Sequence, residues 1–165
     1  MKIAWRLALL AAVAGIGFWL WMILFPSPEK IVLKKIAGLA ANASVNAGDG
    51  NLTRATKVSN LIGYFSADAE INCDVPGIEV HILSGRDEIR QAAAGGFTQL
   101  SSVSVQFFDA AAHVAGDKQS AVATCTARVS AGDSKDFGLQ ELKFQFRKID
   151  GDWLITRAET VKTLQ

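Results

Sequence analysis

The chain has 165 residues, half of them hydrophobic and a fifth charged, with a formal net charge of +1. Lys2 and Arg6 precede a long apolar stretch, so the part that follows carries 15 basic and 16 acidic side chains and is near neutral. That length leaves room for one domain and one core, and a near-neutral domain without a basic run excludes nucleic acid as the expected partner, because phosphate neutralisation supplies most of such affinity.

Leu7 to Phe25 is uncharged throughout, and as a helix it would reach about 28 Å, close to the thickness of a hydrocarbon core. A transmembrane anchor over residues 1–25 is therefore expected, ahead of a domain over residues 26–165. Lys2 and Arg6 would also suit a cleaved secretory signal. Small residues at the A-x-A spacing, however, occur only between Ala11 and Ala14, early in the run, and its exit is bulky, so retention is the expectation. Lipoprotein processing would need a cysteine just after the run, and the first cysteine is Cys73. Trp19 and Trp21 suit an interfacial aromatic belt. Lys2 and Arg6 nearly balance Lys30, Lys34 and Lys35 across the span. A short N-terminal tail most simply stays inside, which predicts a single-pass membrane protein with its domain outside the cytoplasm, periplasmic in a Gram-negative host.

Ser27-Pro28-Glu29 has the chemistry of a helix start: a hydroxyl to cap, proline in the first turn and an acid near the positive end of the dipole. Val32, Ile36, Leu39 and Ala43 then recur at helical spacing. Asn46 to Asn51 reads as a loop broken by Gly48 and Gly50, and Val58, Leu61, Ile62 and Phe65 predict a second, shorter helix. Two short strands are expected at Ala69 to Val75 and Ile78 to Leu83, separated by the turn dipeptide Pro76-Gly77. A third helix starts at Ser84-Gly85, with Asp87 and Glu88 in its first turn. Alternation then predicts four long strands, at about residues 101–110, 119–130, 138–149 and 152–163. Gly116-Asp117, Gly132-Asp133 and Asp150-Gly151 connect them as an antiparallel meander.

The residues Asn46-Ala-Gly-Asp49, Tyr64-Phe65-Ser-Ala-Asp-Ala69, Ser84-Gly85-Arg-Asp-Glu-Ile89 and Asp150-Gly-Asp-Trp153-Leu-Ile155 stand in an order that resembles the nuclear transport factor 2-like superfamily. That superfamily includes ketosteroid isomerase and the SnoaL-type polyketide cyclases. The resemblance covers residues 28–163 and implies an α+β fold: a curved antiparallel sheet of four long and two short strands wrapped around three helices into a cone. It also implies a pocket inside the cone and a homodimer through the outer sheet face. Fold does not carry function here, because the superfamily hosts enzymes, carriers and adaptors.

Carrying the isomerase roles across places the tyrosine donor at Ala41, the general base at Cys73 with Asp74 one residue off, and the second acid at Leu142. Neither Ala41 nor Leu142 can donate to a developing oxyanion. Asp74, at a strand end, is the best remaining general base, since burial in an apolar cone would raise its pKa; a solvated acid ahead of the Pro76-Gly77 turn is the plainer account. His81 shares a strand face with Glu79 and Leu83 and would act as acid, base or ligand if that face lines the cone; an ordinary strand histidine is the plainer account. His113, beside the Gly116 hairpin, is expected in solvent. Tyr64, Cys73, Gln140, Leu142 and Phe144 are the candidate pocket residues, with Tyr64 and Gln140 as its polar handles or else part of the core or rim.

The two histidines and two cysteines form no short-spaced pair, so no metal and no cofactor is expected. The resemblance puts at least two strands between Cys73 and Cys125, beyond disulfide reach, so no bridge is expected. The function expected is a non-catalytic binding or accessory module for an apolar small molecule or an envelope protein. An isomerase, dehydratase or cyclase using Asp74 or His81 is the alternative.

Overall fold

The computed structural model describes residues 15, 26–72, 82–132 and 139–161. Apart from residue 15, the expected anchor at residues 1–25 lies outside the described residues, as does the Pro76-Gly77 turn. Among those described, no helix is long and apolar enough to cross a membrane.

Helix α1 spans Pro28–Ala43, and Ser27 caps it as expected, its Oγ accepting from the Lys30 backbone N–H at 3.5 Å. The helix stops at Ser44, whose extended backbone carries the chain to an isolated bridge between Val45 and Val103, with backbone hydrogen bonds of 2.7 and 2.8 Å. The Ser44 hydroxyl fastens the same junction by accepting from the Val105 N–H at 2.9 Å. Helix α2 spans Asn51–Ile62. It is shorter than the apolar spacing predicts, because Phe65 opens a strand instead of extending the helical face. The backbone of Tyr64 is already bonded to that sheet, accepting from the Ile155 N–H at 2.8 Å.

Strand β1 spans Phe65–Asn72, β2 Ile82–Ser84, β3 Val103–Val114, β4 Ser120–Ala131, β5 Leu139–Ile149 and β6 Asp152–Thr160. Helix α3, Gly85–Gln99, lies between β2 and β3, and Glu88 accepts from the backbone N–H of its cap residue Ser84 at 2.7 Å. The sheet order is β2-β1-β6-β5-β4-β3. The expectation of a wholly antiparallel sheet is corrected: β1 and β6 pair in parallel, while the other neighbours are antiparallel. Parallel neighbours need a long crossover rather than a tight turn. Here α3 and the β3–β5 meander intervene, so no hairpin residues mark the pairing.

Three register shifts bend this sheet: between Phe108 and Ala111 in β3, between Gln145 and Phe146 in β5, and between Phe65 and Glu70 in β1. An extra residue on one strand locally raises twist and bends it. In β3 the shift includes Asp109 at φ 51. It switches the sheltered residues from Val103, Val105 and Phe107 to Ala112 and Val114. The β5–β6 hairpin turns through Asp150 and Gly151, both at positive φ, the backbone that a tight two-residue turn requires and that Asp-Gly supplies.

The core lies between the helices and the sheltered sheet face. Val32, Ile36 and Leu39 of α1 join Val58 and Ile62 of α2, Ile89 and Phe97 of α3, and Phe144, Phe146, Trp153 and Ile155 of the sheet.

Candidate functional site

The surface that the sequence marks as a pocket is the concave side of the sheet under α1. On β5 the even-numbered residues face it. Phe144 and Phe146 are buried, and Gln140 and Leu142 are half-buried toward one end. Phe107 packs on Phe144 with ring centroids 5.9 Å apart and planes at 60°. On β4 the inward positions are small: Ala121, Ala123, Cys125 and Ala127 are all buried. Burial pushes the Cys125 thiol up to about 11, which disfavours the reactive thiolate at neutral pH.

From the helix side the residues turned to this face are Val32, Ile36 and Leu39. Ala41, the position to which the isomerase comparison assigns a donor, is exposed on the opposite side of α1. Leu142, assigned the second donor, is half-buried against the core. Asp74, His81 and Cys73 lie outside the described residues. His113 is exposed, as expected. Among the described residues no group of three His, Cys, Asp or Glu side chains could hold a metal ion.

Tyr64 is half-buried and packs against the core cluster from the helix side. It follows α2 and lies along the flank of α1, where a Cβ on Gly38 would come within 3.0 Å of its Cζ. Asn42, one turn on, donates through Nδ2 to the Gly38 carbonyl at 2.9 Å and to the Tyr64 hydroxyl at 3.4 Å. The Lys35 ammonium stands 5.8 Å from the centre of the Tyr64 ring and 2.8 Å from Asp152 Oδ2. A groove of about 580 Å³ runs here, lined by Ile31, Lys34, Lys35, Ala37, Gly38 and Tyr64. Sequence reasoning named Tyr64 but missed its setting. The available signal was Gly38, because glycine inside a regular helix is unfavourable unless something approaches the backbone closely.

A second recess, of about 440 Å³, lies beside the β3 bulge and is lined by Asp109, Thr124, Cys125, Thr126, Glu141, Leu142 and Val161, so it takes in Leu142 of the expected pocket residues. Elsewhere the outer side of the sheet carries a charge ladder. Lys143 meets Glu159 at 3.0 Å, Glu159 meets Arg157 at 3.1 Å, and Arg157 meets Glu70 at 3.3 Å, so the ladder crosses β5, β6 and β1. Glu159 is held below the usual carboxylate range, first by its hydrogen bond from Lys143. Such partly exposed pairs fix little energy.

No family model and no curated protein matches the sequence. Among solved structures the chain is similar to an NTF2-like protein with a cystatin-like fold from Novosphingobium aromaticivorans, at TM-score 0.64 and 18% identity over 79% of each chain. It is also similar to an NTF2-like protein of unknown function from Pseudomonas putida KT2440, at TM-score 0.65 and 13% identity over 86% of this chain and 90% of that one. A third likeness is to a candidate dehydratase of the NTF2-like family from Streptomyces avermitilis, at TM-score 0.59 and 21% identity over 82% of this chain and 96% of that one. Together these establish an NTF2-like, cystatin-like fold, and at such identities the likeness is one of fold alone.

Proposed function

We propose that this chain is a non-catalytic binding or accessory module. In this reading an NTF2-like domain over residues 26–165 holds an apolar small molecule or an envelope protein partner. Residues 1–25 anchor it to a membrane, with the domain outside the cytoplasm. The observation that carries the reading is the chemistry of the α1 face turned to the sheet, where Val32, Ile36 and Leu39 offer no donor. Stabilising an enolate needs donors in place before charge develops, and losing one typically costs about two to three orders of magnitude in rate. The test is isomerisation of a Δ5-ketosteroid by the full-length chain in neutral detergent. No turnover above buffer is expected, and turnover would overturn the reading. Membrane attachment is tested separately: the full-length chain should stay in the membrane fraction through a carbonate wash, and release of an intact domain by cleavage in its host would refute the anchor. A homodimer through the outer sheet face belongs to the same proposal, supported by Phe108 and Val122 exposed on that side; light scattering in neutral detergent reads it out.

An enzyme of the dehydratase, isomerase or cyclase type is the second reading, favoured by the likeness to a candidate dehydratase. It requires Asp74 or His81 as general base. Turnover lost in Asp74→Asn or His81→Ala, with the fold retained, would establish it in place of the first.

A further inference from the structure

We propose that the groove between α1 and Tyr64 is a binding site for a small organic anion with an apolar body, separate from the concave face of the sheet. Its volume of about 580 Å³ falls within the range of small-molecule sites, too small for a folded partner and ample for one ring system or a short acyl chain. Ile31, Ala37 and the bare backbone at Gly38 make an apolar floor, and the Tyr64 ring makes one wall. Gly38 is what lets that ring lie against the helix, since any Cβ there would collide with it.

The sign of the ligand's charge follows from which polar groups are already matched. Lys35 is paired with Asp152, so its stem serves as wall and its charge is answered. Lys34 lies exposed at the groove and has no ion-pair partner among the described residues. The Tyr64 hydroxyl accepts from Asn42, and its own proton meets no acceptor among the described residues. A cation and an O–H donor left over beside an apolar floor complement a carboxylate or sulfonate carried on an apolar body. Aromatic and acyl carboxylates share that chemistry.

The test is isothermal titration of the full-length chain, in neutral detergent, with 1-naphthoate, octanoate and the uncharged 1-naphthamide. Saturable binding of at least one anion is expected, and the preferred anion identifies the apolar body. 1-Naphthamide should bind more weakly than 1-naphthoate. Lys34→Gln should weaken anion binding about threefold, the scale of one exposed ion pair. Asp152→Asn should strengthen it by a similar factor, because it frees the Lys35 ammonium while the amide oxygen that replaces the carboxylate can still accept from the Trp153 N–H. Gly38→Ala should abolish binding. If that variant does not fold, the opposite responses of the Lys34 and Asp152 variants decide the matter. The proposal is overturned if neither anion binds saturably, or if 1-naphthamide binds as well as 1-naphthoate. It is equally overturned if affinity is the same in the wild type, Lys34→Gln and Asp152→Asn. That last result would place the ligand elsewhere and leave the binding-module reading standing.

Discussion

Arg54 does more for this fold than its place on a solvent-facing turn of α2 announces. Its Nε donates to the Asp49 carbonyl at 3.0 Å, and its guanidinium donates to the carbonyls of Phe97, Leu100 at 2.9 Å and Ser101 at 2.8 Å. These include the carbonyls left without partners at the end of α3, where the helix dipole also favours a cation. Arg54→Met should cost about 1–2 kcal/mol, read as a lower urea midpoint at unchanged slope. Nearby, Asp49 Oδ2 accepts from Lys57 Nζ at 2.7 Å and from the Asn46 N–H at 2.9 Å. The Lys57 hydrogen bond is the main reason its pKa falls below 3.8, and the Asn46 bond adds to it. A carboxyl depressed in the folded state contributes stability that is fully present above its unfolded value and is lost as pH falls through the folded one. Acid unfolding that steepens below about pH 4 is therefore expected in part from Asp49. Asp49→Asn should flatten that part of the curve, and an identical acid limb in the variant would refute the assignment.

At the scale of elements, α3 and β3 each contain a weak place. In α3 Gly95 and Gly96 follow a run of three alanines, and a Cβ at either meets nothing within 4 Å. Glycine in a helix interior costs about 1 kcal/mol relative to alanine, and here no close approach explains it. Gly95→Ala should raise stability by about 0.5–1 kcal/mol in thermal unfolding. This end of the helix is the one Arg54 holds, so a weak helix terminus and a strong clamp coincide. In β3 the bulge at Asp109 occupies left-handed backbone, which aspartate tolerates and a β-branched residue does not. Asp109→Val should cost about 1–2 kcal/mol, whereas Asp109→Gly should be neutral or mildly stabilising. Equal effects of the two substitutions would show that side-chain contacts, not backbone strain, govern the bulge.

For the molecule as a whole, the buried hydrophobic cluster runs from Val32 to Ala158. Every described contributor therefore lies after the apolar N-terminal stretch. A chain beginning at Ser27 should fold by itself, giving a mixed α/β circular dichroism spectrum and one cooperative thermal transition. A broad, non-cooperative melt would show that residues before Ser27 take part in the core. The three helices and six strands described among residues 26–161 fit one layered domain of ordinary size.

Local chemistry determined much of this in advance. The Ser27 cap, the Ser84 start of α3, the alternation of β3 to β6 and the Asp150-Gly151 turn are legible because each rests on residues within a few positions of one another. Periodicity is a short-range property, and so are caps and tight turns. What only the tertiary structure decided depends on partners far away in the chain. Phe65 continues the helical spacing of Val58, Leu61 and Ile62, yet it becomes a strand residue because β6 lies alongside. The parallel pairing of β1 with β6 has no turn to announce it. The concave face takes its character from which side of α1 meets the sheet, a choice that left Ala41 in solvent. Tyr64 became the wall of an outer groove once Gly38 gave its ring a place to lie. Non-local contacts form only after long loops have closed, and their geometry is set by packing rather than by neighbouring residues.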